Sequence, residues 1–460
     1  MNLISARKNL NQFIRSGVLA GILPTLFWII CTWPGYMNAD SALHWKEAAS
    51  NNYSNWFPVT YSLLLKVSQL LGTGTALLVV LQCAATLFAV TFATSTLTES
   101  RVARNVTVFI VMAWPQTGGT MVLVAKDALF AASFVIVVTC LVRLERNKLD
   151  MVRPITALLI FAATLMVVLR WNGPIIILGL GLIVGIRRRP RFKLVLGTLG
   201  LSLCIGLVVL LKPPFSDNSG GTGLRISGQA IDIAWALRAD PNSFSDDQLS
   251  VIDSIAPREL WIESQRNCNN SAMPLLDGVF NEVDGAGSRL SLRRSELRDM
   301  WVEQLLTNAD VFVKGRLCRV KGLVVPARDW WPVSSQPSQI VFPSRLGLSA
   351  PATLTERGLR WTSAKMDLWG GSTLGIVLSM PFVWMIMGIV VNWILRRKQS
   401  RSHLVLVASF VVPSSVFISG AGLEPRYVWP ATLLFIIDFS IHAGTNREPL
   451  PNSSNPSHHY

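Results

Sequence analysis

Ten apolar runs, each close to the length that crosses a bilayer, recur near 17–33, 72–97, 105–121, 127–142, 154–169, 174–186, 194–211, 373–395, 403–419 and 427–442. A hydrocarbon core about 30 Å thick takes roughly 20 residues of upright helix. Backbone polar groups inside it must pair within the protein, so runs of this kind fold as α-helices. The expected fold class is an all-α polytopic membrane protein with about ten transmembrane helices. Several runs are shorter than an upright span and are expected to tilt or to be covered by neighbouring protein.

The formal charge of +15 would point a soluble chain toward nucleic acid, so its location decides its meaning. With Arg7, Lys8 and Arg15 in the cytoplasm, every second connection lies there too, including Arg101 and Arg104, the groups at 143–153, 187–193 and 396–401, and Arg447. Those segments carry 19 Lys and Arg against 4 Asp and Glu, and the rest of the chain carries 23 of each. The whole basic excess is a positive-inside signal, and no basic patch remains for a nucleic-acid partner. Both termini are expected in the cytoplasm and the chain in the plasma membrane. The first run follows a basic start as a signal peptide does, but it is longer than such an apolar region and Trp33-Pro34-Gly35 is no small-x-small cleavage site. A retained helix is expected.

This topology divides the chain into an N-terminal membrane module, 1–211, of about seven helices; an external, mostly helical or irregular domain, 212–371; a C-terminal membrane module, 372–443, of about three helices; and a disordered polar tail, 444–460. In the external domain, Ser245 with Gln248 reads as a capping box, and Leu297, Met300, Trp301 and Leu305 share one helical face. The Pro- and Trp-bearing stretch 324–348 is expected to be irregular, and Cys268 with Cys318 leaves one disulfide open. The long first external loop, 34–71, is expected to hold an amphipathic helix at 39–49 and an interfacial segment at 57–71, anchored by Trp56 and Tyr61.

Polar residues collect at the external ends of the spans. Asp40 follows the first run directly, Lys126-Asp127 opens the fourth in AKDALF, Arg170-Trp171-Asn172-Gly173 turns between the fifth and sixth, and Glu424-Pro425-Arg426-Tyr427 precedes the tenth. Bundled helices would bring them toward one cavity. Each also has an ordinary reading. Asp40 can cap the helix SALHWKEA, Lys126 and Arg170 can reach lipid head groups, Asp127 can pair with its neighbour or cap its span, and Arg426 with Glu424 can be a surface ion pair.

In order and sidedness, PGYMNAD, NWFPVTYSLLL, KDALF, LRWNG and RYVWP resemble the GT-C superfamily of polyprenyl-phosphate-dependent membrane glycosyltransferases. The segment from ISGQAIDIAWAL to VKGRLCRVKGL looks like external parts of uncharacterised bacterial members. The resemblance implies a GT-C-like fold and transfer of a sugar from a polyprenyl-phosphate donor to an envelope glycan, lipid or protein acceptor on the external face. It implies Asp40 as general base, Asp127 as a second carboxylate, and Arg426, Arg170 and Lys126 as cations for the departing phosphate. The arginines rank first because a guanidinium matches paired phosphate oxygens. Asn172, Tyr427 and His44 complete the implied substrate-binding set. Related sequences often place His before the Pro of the aromatic patch. Here that residue is Phe57, so the task is missing or has moved, with His44 the candidate. No zinc spacing of His or Cys occurs, and two carboxylates leave a divalent metal open. The alternative is a transporter or flippase for lipid-linked or envelope precursors, which more often shows charge deep in its spans; the clear mid-span carboxylate is Asp438.

Overall fold

The computed structural model describes residues 3–37, 39–53, 58–98, 100–146, 152–187, 192–211, 227–265, 292–320, 372, 383–387, 389–390, 403–419 and 425–445. Among these residues the secondary structure is helical apart from one isolated bridge, Tyr36 with Leu123. In chain order the first helices are α1 (Leu3–Thr32), α2 (Ala39–Ser50), α3 (Val59–Leu70), α4 (Ala76–Leu97), α5 (Arg101–Ala113), α6 (Pro115–Val122), α7 (Lys126–Arg146), α8 (Val152–Leu169), α9 (Gly173–Arg187) and α10 (Phe192–Leu211). Then come α11 (Ser227–Ala239), α12 (Asp246–Ile255), α13 (Arg258–Ser264), α14 (Arg294–Thr307), α15 (Ala309–Val320), α16 (His403–Ser419) and α17 (Pro425–Thr445). Among the described residues four stretches are long and apolar enough to cross a bilayer: Ala76–Leu97, Lys126–Leu144, Val152–Leu169 and Lys193–Leu210. Shorter apolar helices run at Gly17–Thr32, Gly173–Ile186 and Trp429–Asp438. The protein is an all-α polytopic membrane protein. Most of the expected eighth run, 373–395, lies outside the described residues, as do Trp330, Trp331 and 444–460 apart from the end of α17.

The bundle is organised around α7. In its apolar stretch Lys126–Leu144, 94% of the residues are buried, against 33% in Lys193–Leu210. α4, α8 and α17 pack directly against α7, and α16 also touches it. A helix that is apolar on every side and enclosed by others presents little surface to lipid, and the charged pair that opens α7 is likewise buried within protein. Hydroxyls within the spans close onto their own helix: Thr86, Ser133, Thr139 and Ser202 each donate to the carbonyl four residues earlier.

The third expected span, 105–121, is not one helix. Pro115 lacks a backbone N–H and disfavours helical geometry in the residue before it. Trp114 is accordingly extended (ψ 129°), α5 stops at Ala113, and Pro115 begins α6. Carbonyls freed by such a break need partners when water is excluded. Trp28 Nε1 supplies one, donating to Met112 O at 3.1 Å. At the other end of α6, Tyr36 Oη donates to Gly119 O at 2.5 Å, which also accepts from Leu123 N–H, and Gln82 Nε2 donates to Leu123 O at 2.6 Å and Met121 O at 3.2 Å. Trp28 lies so close to α6 that a Cβ on Gly118 would sit 2.0 Å from its Cε2. Replacing Gly118 with Ala should therefore lower stability by about 1–3 kcal/mol, the usual range for overpacking. Thermal unfolding in detergent checks this; an unchanged midpoint would contradict the close packing.

Gly35, in the turn that leaves α1, has φ +101°, and a Cβ there would meet Val79 Cγ2 at 2.5 Å. Glycine alone adopts that backbone readily. The turn lets Tyr36 pair with the chain after α6: Tyr36 N–H donates to Val122 O, and Val124 N–H donates to Tyr36 O. The segment after α1 is thereby stitched to the start of α7.

α11 to α15 share a second hydrophobic core, in which Trp261, Ile233, Leu237, Ile252 and Leu297 are fully buried. Ser245 and Gln248 form the expected capping box at the start of α12. The expected face on 290–306 is present in α14, with Leu297 and Met300 buried and Trp301 and Leu305 packed against the core. Trp301 Nε1 and Arg316 both donate to Asp232, at 3.0 and 2.6 Å, tying α14 and α15 to α11. Cys318 is disulfide-bonded. Cys268 lies outside the described residues.

Candidate active site

The connections 34–75, 123–125 and 170–172 meet at one end of the bundle. Asp40 occupies the first turn of α2. The helix has already begun at Ala39, so the expectation that Asp40 precedes and caps it is corrected. His44 and Glu47 follow Asp40 at spacings of four and three, which puts all three on one helical face. That face is turned inward: His44 and Glu47 are 1% and 4% exposed.

α3 supplies the partners. Ser62 Oγ donates to Glu47 Oε2 at 2.6 Å and lies 2.7 Å from His44 Nδ1. Tyr61 was expected at the membrane interface, but it is fully buried, donates to Gln82 Oε1 at 2.8 Å and meets the His44 ring edge-on. Its location follows from α3 packing on α4 and α8 rather than lying flat on lipid. The other expected anchor, Trp56, lies outside the described residues, as does Phe57.

α7 contributes the cation. Lys126 Nζ is 3.4 Å from His44 Nε2. A carboxylate only accepts, so the Ser62 proton points at Glu47 and the Ser62 lone pairs accept from His44 Nδ1–H. Nε2 then carries a lone pair directed at the Lys126 ammonium. The imidazole is neutral in this arrangement, and burial, reinforced by Lys126, lowers its pKa from 6.5 to about 4. Glu47 and Asp40 oppose that shift.

A stability prediction follows. As pH falls below about 6.5 the unfolded chain binds a proton at His44 that the folded chain refuses. The contribution is complete above that pH and is lost progressively as pH falls toward about 4. Melting profiles of the native protein and His44→Gln should converge across this window; parallel profiles would count against a buried neutral His44.

The next residue along α7, Asp127, forms a salt bridge with Arg170, which follows α8; their side chains are 3% and 4% exposed. The expected alternative pairing of Asp127 with its neighbour gives way to this one. Arg170 also lies over the Phe130 ring, 5.2 Å from its centroid. Asn172 Nδ2 donates to Ser415 Oγ on α16 at 3.3 Å. Arg426 and Tyr427 occupy the first turn of α17, a helix that packs against α4, α5 and α7. Their side chains, and Glu424, lie outside what is described.

The structure therefore assembles Asp40, His44, Lys126, Asp127, Arg170 and Asn172 at one end of the bundle. Sequence reasoning missed Glu47, Ser62 and Ser415. The Asp40, His44, Glu47 spacing was the available sign for the first; nothing local marked the two serines. Among the described residues no group of three or more His, Cys, Asp or Glu could hold a metal ion. With Asp127 engaged by Arg170, the described donor set does not fit one.

The family model of DUF6020, described as a family of unknown function, matches residues 48–257. No curated protein matches the chain. Among solved structures, the crystal structure of ArnT from Cupriavidus metallidurans bound to undecaprenyl phosphate is similar at 14% identity, covering 92% of this chain and 76% of that one with a TM-score of 0.36. Likeness at that level transfers no chemistry.

Proposed function

We propose that this protein is a membrane glycosyltransferase that moves a sugar from a polyprenyl-phosphate donor to a cell-envelope acceptor on the non-cytoplasmic side. What supports this reading is that, at one end of the bundle, Asp40 and Lys126 both lie beside His44 and that the next residue of α7, Asp127, pairs with Arg170. A headgroup anchored in lipid arrives at that depth, where neither bulk water nor the bilayer interior would hold a sugar phosphate.

In the proposed reaction an acceptor hydroxyl attacks the anomeric carbon and Asp40 takes its proton. The bond from that carbon to the phosphate oxygen breaks, and the lipid phosphate leaves with the electron pair. Asp40 suits the base role because it is half-buried and belongs to a short helix that α3 holds in place. The growing phosphate charge needs cations already in position, since preorganised donors stabilise it without rearranging. Lys126 and Arg426 take that role. Arg170 orients Asp127, and Asn172 spaces the turn against Ser415.

The test is transfer of radiolabelled sugar by purified protein in lipid nanodiscs supplied with polyprenyl-phosphate sugars and envelope acceptor fractions. A new glycosidic product that depends on Asp40 supports the reading. Passage of the labelled lipid across the bilayer with no new bond would replace it with the flippase alternative.

A further inference from the structure

Toward the end of α9 away from Asn172, the packing of α9 on α10 leaves an open groove of about 850 Å³. Among the described residues its walls are Ile, Leu and Gly alone, with Gly181, Gly185 and Ile186 on the α9 side and Leu196 and Gly200 on the α10 side. The glycines make the hollow: a Cβ on Gly185 or Gly200 would meet nothing within 4 Å. The α9 wall runs from Ile177 to Ile186, about 14 Å of helix rise. That is close to one leaflet of a hydrocarbon core about 30 Å thick. The wall side chains carry no polar group, so water has no partners there. Hydrocarbon has to fill the hollow, because an empty one forfeits contacts along both walls.

Charge marks the same end. The α10 wall, positions 196, 199, 200 and 203, follows one helical row, and one turn back along that row stands Lys193, which is exposed. The connection that joins the two walls holds Arg187, Arg188, Arg189, Arg191 and Lys193 and no acidic residue. We propose that the groove holds an acyl chain of an anionic phospholipid whose phosphate lies at Lys193, in the field of that connection and in the leaflet that the charge distribution makes cytoplasmic. The competing cover is a second copy, since Gly181 and Gly185 have the four-residue spacing by which membrane helices approach each other. Two copies in one bilayer share an orientation, so meeting on this face would bring two such connections together with no acid between them. An anionic headgroup neutralises the charge that a second copy would double. The inference does not depend on the glycosyltransferase reading, whose Arg170 and Asn172 precede the other end of α9.

The experiment places the full chain in nanodiscs of equal parts phosphatidylglycerol and phosphatidylcholine and counts, by native mass spectrometry, the lipids each protein keeps on release. The native protein should keep phosphatidylglycerol in preference to phosphatidylcholine. Gly185→Leu and Gly200→Leu fill the hollow from opposite walls, where there is room for a side chain, and each improves helix propensity. Either should remove the tightly held phosphatidylglycerol, and having both guards against one variant that fails to fold. Lys193→Gln should lower the preference for phosphatidylglycerol about fivefold, the worth of one basic residue at a membrane surface, with the total of retained lipid unchanged. Gly197→Leu, in open space on α10 but outside the groove, should match the native protein in both readouts. Equal retention of the two lipids by the native protein, or an unchanged preference in Lys193→Gln, overturns the anionic headgroup at this end. Native-like retention in the Gly185 and Gly200 variants overturns the groove as the lipid's place. A native dimer that those variants convert to monomers, with the same lipids bound, gives the groove to a second copy and overturns the proposal.

Discussion

Asp40→Asn is expected to lower the rate of sugar transfer by about 10²- to 10⁴-fold, the range that general-base assistance contributes. The substitution is close to isosteric and falls in the first turn of α2, where a carboxylate also interacts favourably with the helix dipole. Its cost to folding should stay below about 1 kcal/mol. Donor affinity should change little, because the base acts on the acceptor hydroxyl while that bond is breaking. The measurement separates turnover at saturating donor from donor binding in the same preparation. Undiminished turnover would remove Asp40 from the proposed chemistry and shift the search for a base to other carboxylates at this end, with Glu47 the nearest on the same helix.

The second large effect concerns folding. Asp127 and Arg170 are buried together, and removing one partner strands the charge of the other. Breaking a buried pair in this way costs about 3–5 kcal/mol. Asp127→Asn and Arg170→Met should each lower the unfolding midpoint in detergent substantially. The double variant should be less destabilised than the two single losses added together, since no orphaned charge remains. Additive losses would mean that the two charges do not depend on each other. Guanidinium geometry favours Arg170 as a phosphate ligand on chemical grounds, yet a guanidinium committed to a buried carboxylate has less charge to offer.

Several features were legible in the chain because they depend on nearest neighbours. The capping box at Ser245 needs a hydroxyl and an amide three residues apart and little else, and it is present. The apolar face of α14 follows from helical periodicity, and its buried residues match. Other features were hidden because they depend on what a side chain meets. Tyr61 reads as an interfacial aromatic by its position after an Asn-rich break, but Gln82 from α4 reaches its hydroxyl and the whole ring is enclosed. The third span reads as one apolar run, although Pro115 within it could have warned of a break. Whether a proline kinks or splits a helix depends on who satisfies the freed carbonyls. Here Trp28, from α1, takes the carbonyl of Met112.

By itself the sequence determined that this chain is a helical membrane protein and that its polar residues gather toward the ends of its spans, because bilayer thickness and the cost of unpaired backbone act on composition and order alone. Only the tertiary structure decided which of those residues meet. Residues 44 and 126, or 127 and 170, are brought together by the packing of α2, α3 and α8 around α7. That packing is set by side-chain fit between helices distant in sequence, and no local pattern records it.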